Sequence, residues 1–126
     1  MILKAVLPAQ SAGGGTSVTV AGTYEMEAYN PDTIGAVVIV APSAVTGVAT
    51  NNFTVNVRQV RAGTALSTIA TQTFALGTNL AAETPFTLTV PTQPLLSAGD
   101  VVDVQLVQNG TGLAVPVGVE VEVHIG

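Results

Sequence analysis

The stretch LLSAGDVVDVQLVQNGTG, residues 95–112, decides which class of fold the chain adopts. It holds two aspartates three positions apart, Asp100 and Asp103, and it ends shortly after the pair Asn109–Gly110. Side chains of a strand alternate between its two faces, so residues three apart point in opposite directions and do not bind one ion together. The pattern therefore predicts one β-strand over Val101–Gln108 with a turn at each end, and not a site of paired carboxylates.

The polar residues of this stretch have structural roles in that interpretation. Asp100 follows Gly99 in a turn, where an aspartate side chain commonly bonds a nearby backbone amide. Asp103 is expected to be a solvated residue on the outward face of the strand. The Asn-Gly pair is a strong signal for a tight turn. The residues after it, as far as Pro116, are long enough to form an arch that crosses from one sheet to another.

Length and composition indicate a single domain with an unusually neutral surface. The chain has 126 residues, which is the size of one domain with a real core. We expect an N-terminal strand and flexible arm over residues 1–17, with glycines at positions 13–15, and a β-sandwich over residues 18–126. Charged residues make up 9% of the chain, against about 25% in typical globular proteins. Such a surface suits a protein that buries much of its outside against neighbouring molecules.

The charges argue against two classes of partner. The net charge is −5, and the only side-chain cations are Lys4, Arg58 and Arg61. Nucleic-acid binding needs several cations on one face to neutralise phosphates, and anionic membranes attract proteins through the same charge. The longest apolar run, AVVIVAP at residues 36–42, is far shorter than the roughly 20 residues of a membrane helix. We therefore expect neither a nucleic acid nor a membrane as partner.

The rest of the chain consists of short β-branched stretches separated by proline and glycine turns, which predicts strands throughout. A kink or bulge is expected within the second strand, at Ala21–Gly22. Alternation places Phe53, Val55 and Val57 on one face of the fourth strand, opposite its polar residues. The predicted strands are Ile2–Leu7, Val18–Tyr29, Ala36–Ala41, Phe53–Arg61, Ser67–Leu76, Phe86–Val90, Val101–Gln108 and Val117–Ile125.

Eight short strands at regular spacing are typical of an antiparallel sandwich, and the jelly roll is the eight-stranded form built from two Greek keys. Threading the chain through it predicts one sheet in the order first, eighth, third, sixth. The other sheet runs second, seventh, fourth, fifth. The third strand, AVVIV at residues 36–40, is apolar on both faces, so it takes a central position with its outer face covered. The threading also places Arg58 beside Asp103, both facing outwards, as a candidate surface ion pair.

The last strand carries the residues most suggestive of chemistry, because Glu120, Glu122 and His124 share one face. Carboxylates and imidazole bind metals, but three residues in a row on a flat strand are poorly placed to enclose an ion. Glutamate pairs also serve glycosidases, yet such pairs flank a cleft. His124 is the only histidine, and no G-x-S-x-G motif accompanies it. We interpret the row as a solvent face or a contact between subunits. We expect no enzyme activity, metal, cofactor or small-molecule substrate.

The segment LLSAGDVVDVQLVQNGTGLAVP, followed by a short final strand, resembles the C-terminal part of small jelly-roll proteins on tailed-phage heads. The cysteine-free, weakly charged composition is similar to that of phage capsid decoration (cement) proteins. The resemblance implies a homotrimer on the outer capsid surface that stabilises the lattice of the major capsid protein. The candidate contacts with the partner or within the trimer are Ile2, Lys4, Val38, Val40, Glu120, Glu122 and His124.

A second hypothesis is a phage fibre or receptor-binding module that recognises a cell-surface glycan. Such a module needs exposed aromatic side chains around a concave patch. The candidates are Tyr24, Tyr29, Phe53, Phe74 and Phe86. Most of them alternate into predicted core positions, which favours the structural role over the binding module.

Overall fold

The computed structural model describes residues 2–12, 17–23, 33–91 and 95–126, with the backbone alone over 17–23. Within these ranges the regular elements are β-strands, and no helix there is long and apolar enough to cross a membrane. The strands are β1 (Ile2–Val6), β2 (Ser17–Thr23), β3 (Ile34–Val40), β4 (Phe53–Arg61), β5 (Thr64–Thr73), β6 (Phe86–Leu88), β7 (Val101–Gln108) and β8 (Glu120–Ile125).

The strands form two four-stranded sheets, in the orders β1-β8-β3-β6 and β2-β7-β4-β5. Neighbouring strands are antiparallel throughout both sheets. Both orders are those predicted from the sequence, so the predicted sheet order is confirmed. Strand β3 lies between β8 and β6, which confirms the central position of the doubly apolar strand. The result is an all-β protein of two antiparallel sheets.

The core fills the space between the sheets. The inner faces of β4 and β8 bury every second residue, as their alternation predicts. Three aromatic rings contact one another in a row within this core. The centroids of Phe53 and Phe74 are 5.1 Å apart with tilted rings, and those of Phe74 and Phe86 are 5.5 Å apart in an edge-to-face arrangement. Phe53 and Phe74 are fully buried. Packing of these inner faces is therefore the main source of stability, at roughly 25 cal/mol for each Å² of apolar surface removed from water.

Several strand boundaries differ from the prediction for local reasons. Strand β5 begins at Thr64 because Ala62 and Gly63, with φ values of 51° and 79°, close a two-residue hairpin after β4. Strand β8 begins only at Glu120, after a turn in which Gly118 has a φ of 87°. Strand β2 has no bulge at Ala21–Gly22, since it pairs with β7 without a register shift, and the alternative of a kink there stays a prediction. The predicted residues of that strand beyond Thr23, and the glycines of the arm, lie outside the described residues.

The edge strand β5 is irregular. Its register with β4 shifts twice, between Val57 and Arg58 and again between Gln59 and Val60. Each shift is a β-bulge, in which one extra residue of β5 has no direct partner on β4. Its first five residues, Thr64 to Thr68, are all exposed. The edge of this sheet is therefore twisted and uneven, a feature that discourages edge-to-edge pairing.

The arch between β7 and β8 begins with a tight turn in which Gly112 N–H donates to the Asn109 carbonyl at 2.9 Å. The buried Gln108 side chain bonds both the carbonyl and the amide of Leu113, at 2.9 and 2.8 Å, and so closes the arch. The Asn109 side chain donates to Asn52 Oδ1 at 2.8 Å. Since β7 and β8 lie in different sheets, the predicted arch across the sandwich is confirmed.

The ion pair that tests the sheet order is present. Arg58 and Asp103 are register partners on β4 and β7, with Nε to Oδ1 at 2.8 Å and an Nη2 to Oδ2 bond of 2.6 Å. The expectation that Asp103 is solvated is wrong, because its side chain is only 8% exposed. Strand β7 is central, so neighbouring strands flank this position on both sides, and the Arg58 side chain bonds its carboxylate.

We predict that Gly47→Ala destabilises the protein. A Cβ at Gly47 would overlap the backbone oxygens of Ala75 and Thr78, which have little room to move. Overpacking of this kind typically costs about 1–3 kcal/mol. Gly35→Ala is the matched control, because its Cβ would meet only the His124 carbonyl, at 3.9 Å. Urea unfolding of both variants tests the prediction, and equal midpoints would contradict it.

We predict that Arg58 and Asp103 are energetically coupled. The variants Arg58→Gln and Asp103→Asn and their combination form a double-mutant cycle in urea unfolding. A bidentate, largely desolvated pair is expected to show a coupling energy of about 1–3 kcal/mol. The exposed pair formed by Lys4 and Glu122 provides a control cycle, with a smaller expected coupling. A coupling no larger than that of the control would contradict the prediction.

Candidate functional site

The two aspartates of the decisive stretch have separate partners. Asp103 faces outwards from its sheet and binds Arg58. Asp100, directly before β7, is on the inner side with Gln59 and Arg61, at one end of the hydrophobic core. The carboxylates therefore do not converge, as the spacing predicts.

Asp100 is enclosed by donors. Its side chain is 0% exposed, and its Oδ2 accepts from Gln59 Nε2 at 2.7 Å and from the Ser97 amide at 2.8 Å. Arg61 donates to Oδ1 at 2.7 Å and to Oδ2 at 2.9 Å. The predicted bond to a backbone amide is confirmed, with Ser97 as donor. The pair with Arg61 was not predicted. Arg61 and Gln59 are two residues apart and so share the inner face of β4, which is a signal in the sequence that could have indicated it.

These bonds determine the ionisation of Asp100. The hydrogen bonds from Arg61 hold the pKa of the Asp100 carboxyl well below its usual range, and the bonds from Ser97 and Gln59 add to this, against the opposing effect of burial. A carboxylate with four hydrogen bonds from its own chain has little capacity left for a substrate or a metal. Asp100 is therefore a structural residue that closes the end of the core.

The second feature is the outer face of the sheet β1-β8-β3-β6, defined as the outward side chains of β1, β8 and β3. These lie in register, so that Lys4 is beside Glu122, and Glu122 is beside Val38. The outer face contains all seven candidate contact residues of the sequence analysis. Its members are Ile2, Lys4 and Val6 on β1, Glu120, Glu122 and His124 on β8, and Ala36, Val38 and Val40 on β3.

The charged row of the outer face is linked by ion pairs. Lys4 Nζ lies 3.2 Å from Glu120 Oε1 and 3.4 Å from Glu122 Oε1, so one ammonium group serves two carboxylates. These contacts raise the pKa of Lys4, with the Glu120 hydrogen bond as the main cause. Burial raises the pKa of Glu122, but hydrogen bonds from Lys4 and His124 outweigh it and the pKa is lowered. His124 Nε2 is 3.2 Å from Glu122 Oε2.

The apolar row of the outer face lies beside this charged row. Ala36, Val38 and Val40 are half-buried by their neighbours on the sheet. On the other side of the charged row, Ile2 is 49% exposed and Val6 is 56% exposed. The face thus combines exposed apolar side chains with a row of carboxylates.

A cleft of about 380 Å³ lies where the outer face meets the loops after β3 and before β8. Both acidic and apolar residues line it. Its lining residues are Val40, Ala41, Pro42, Glu83, Gly118, Glu120 and Glu122. Glu83 comes from the loop between β5 and β6, and no pattern in the sequence marked it as a member of this surface. Among the described residues, no three His, Asp or Glu side chains are grouped to hold a metal ion.

We predict that Asp100→Asn lowers the free energy of unfolding by about 2–4 kcal/mol at pH 7. The asparagine NH2 group would face the N–H donors of Arg61 or Ser97, which would then lack an acceptor. In the wild type the folded carboxyl has the lower pKa, so the unfolded chain binds more protons. The stabilisation from Asp100 is therefore fully present above the unfolded pKa of about 3.9, and it is lost progressively as the pH falls towards the lower pKa of the folded carboxyl.

Urea unfolding between about pH 6 and pH 2.5 checks this, with a shallower loss expected in Asp100→Asn than in the wild type. Glu83→Gln is the control, because that exposed carboxylate has no ion pair within the described residues. Parallel curves for Asp100→Asn and the wild type would contradict the prediction.

Comparison with known proteins found a distant structural likeness. No protein-family model matches the chain, and no curated protein matches it. A solved structure described as "Structure of infectious bursal disease virus Gx strain" is similar over 97% of this chain, with 13% sequence identity and a TM-score of 0.36. This chain spans 30% of the length of that one. At this level of similarity nothing about function is transferred.

Proposed function

We propose that this chain is a structural virion protein that binds the outside of a phage capsid as a homotrimer and stabilises the lattice of the major capsid protein. The observation that supports it best is the outer face. It gathers the seven candidate contact residues on one surface, beside apolar side chains that a single chain leaves open. The exposed apolar side chains Ile2 and Val6 suit a surface that another molecule covers.

The architecture supports the same proposal. The sheet orders β1-β8-β3-β6 and β2-β7-β4-β5 are those of the jelly roll that we propose for this chain. The pairing of β1 with β8 places the N-terminal strand beside the last one, at the edge of a sheet. Strand β1 is therefore the edge strand of the sheet whose outward side chains form the outer face.

A non-enzymatic role is part of the proposal. Asp100 and Asp103 are each bound to an arginine, and Lys4 is shared between two glutamates. Acid–base catalysis needs a group that is free to exchange a proton with a substrate. Three clefts of about 370, 320 and 380 Å³ among the described residues do not include Asp100 in their lining.

The glycan-binding alternative has less support. Phe53 and Phe74 are fully buried, and Phe86 packs partly buried against the core. Three of the five aromatic candidates are therefore core residues. Tyr24 and Tyr29 lie outside the described residues.

Two measurements test the proposal. Size-exclusion chromatography with light scattering is expected to give three times the mass of the single chain, and the protein is expected to co-sediment with capsids that lack it. Val38→Lys is expected to weaken at least one of these contacts because it adds a charge to the apolar row. Leu66→Lys is the control, since Leu66 is 50% exposed on β5 of the other sheet. A monomer that fails to co-sediment would rule out the proposal.

A further inference from the structure

The positive charges of this chain are already engaged by its own carboxylates. Lys4 is bound to Glu120 and Glu122, Arg58 to Asp103, and Arg61 to Asp100. These are the three Lys and Arg side chains of the sequence. A second copy of the chain therefore has no free side-chain cation to offer to an acidic surface.

Negative charge remains in excess at one corner of the outer face. Glu83, Glu120 and Glu122 line the cleft there, and the neighbouring cation is Lys4. Three carboxylates against one ammonium leave two charges uncompensated while His124 is neutral. Glu83 is exposed and forms no ion pair with any described residue. The surplus is therefore available to another molecule.

The backbone fixes the position of Glu83. Its amide donates to the Ala41 carbonyl at 2.7 Å, and Ala82 forms a β-bridge with Ala41. Glu83 has a φ of 54°, in the left-handed region that non-glycine residues seldom adopt. The loop between β5 and β6 is thereby tied to the end of β3, so that this carboxylate stands beside the apolar row.

The cleft is also lined by apolar residues, Val40, Ala41 and Pro42, beside the carboxylates. Lysine and arginine side chains lay their methylene stems along apolar surface while the charged head reaches a polar partner. A cleft lined by both apolar and acidic residues is complementary to such side chains. It is less complementary to an acidic or a purely apolar surface, which would leave the carboxylates unpaired.

We propose that this corner of the outer face binds a lysine- or arginine-bearing surface of a different protein, and not a second copy of this chain. The inference rests on the proposed function, because it names the chemistry of the partner that the outer face contacts. Lys4 then has a second role. It neutralises part of the acidic surface and lowers the attraction for the basic partner.

The test uses the full-length ¹⁵N-labelled chain and the synthetic peptide Ac-VKVKVKV-NH2, followed by NMR amide shifts at low salt. Shifts are expected at Val40, Glu83, Gly118 and Glu120, and they are expected to fade at about 0.5 M salt because the attraction is electrostatic. The peptide Ac-VEVEVEV-NH2 is the matched control and is expected to cause no shift. No binding of the lysine peptide, or shifts at another surface, would overturn the proposal.

Two variants are expected to change the affinity for the lysine peptide in opposite directions, and this separates an effect of charge from an effect of structure. The double variant Glu83→Gln with Glu120→Gln is expected to weaken peptide binding about fivefold. Lys4→Gln is expected to strengthen it about twofold, because it exposes more negative charge. A purely structural effect would not change sign in this way. Equal affinity in all variants would overturn the proposal, and thermal melts confirm that each variant is folded.

Two further results distinguish this inference from the proposed function. If the Glu83→Gln, Glu120→Gln variant still co-sediments with capsids as the wild type does, the basic-partner inference fails and the capsid role stands. If the lysine peptide binds but the chain never co-sediments, the capsid role fails and the inference stands. Shifts of the same amides on dilution of the protein alone would identify a second copy as the occupant, and this would overturn the inference.

Discussion

Two arginine–carboxylate pairs hold β7 against β4, one on each side of the sheet. Arg58 binds Asp103 on the outer side, and Arg61 binds Asp100 on the inner side. A slip of one residue in the pairing would break both pairs and turn the apolar residues of β7 away from the core. Two of the three Lys and Arg side chains of the sequence form these ion pairs. The register of the central strands, and with it the composition of both faces, depends on these contacts.

The sequence predicted most of the fold because alternation is a local signal. The inward and outward residues of β4 and β8 follow from it. The sheet orders and the pair of Arg58 with Asp103 were predicted by threading the eight strands through a jelly roll. The burial of Asp103 did not follow, because alternation tells which face a residue is on but not how closely neighbouring strands cover it. The start of β5 was also missed, since the strand was predicted from Ser67, whereas the two-residue turn at Ala62–Gly63 lets it begin at Thr64.

Some residues of the candidate site could also be predicted from the sequence, and others could not. Its residues on β1, β3 and β8 were predictable, because same-face residues of paired strands must be neighbours. Glu83 was not, because it belongs to a loop with no periodicity, and its place depends on a bridge to Ala41 that is distant in sequence. The bond of Arg61 to Asp100 was missed for a related reason. It lies one step beyond the last paired residues of β4 and β7, Val60 and Val101.

The bulges of β5 also bear on how copies of this chain come together. A straight strand at the edge of a sheet accepts the same strand from the next molecule, and the next, so that association has no natural end. With two extra residues in β5, the hydrogen-bonding groups along that edge do not form an even row. Polymerisation into fibrils through this edge is therefore disfavoured. For a chain with so few charges to keep its copies apart, this irregularity makes one route to open-ended association less favourable.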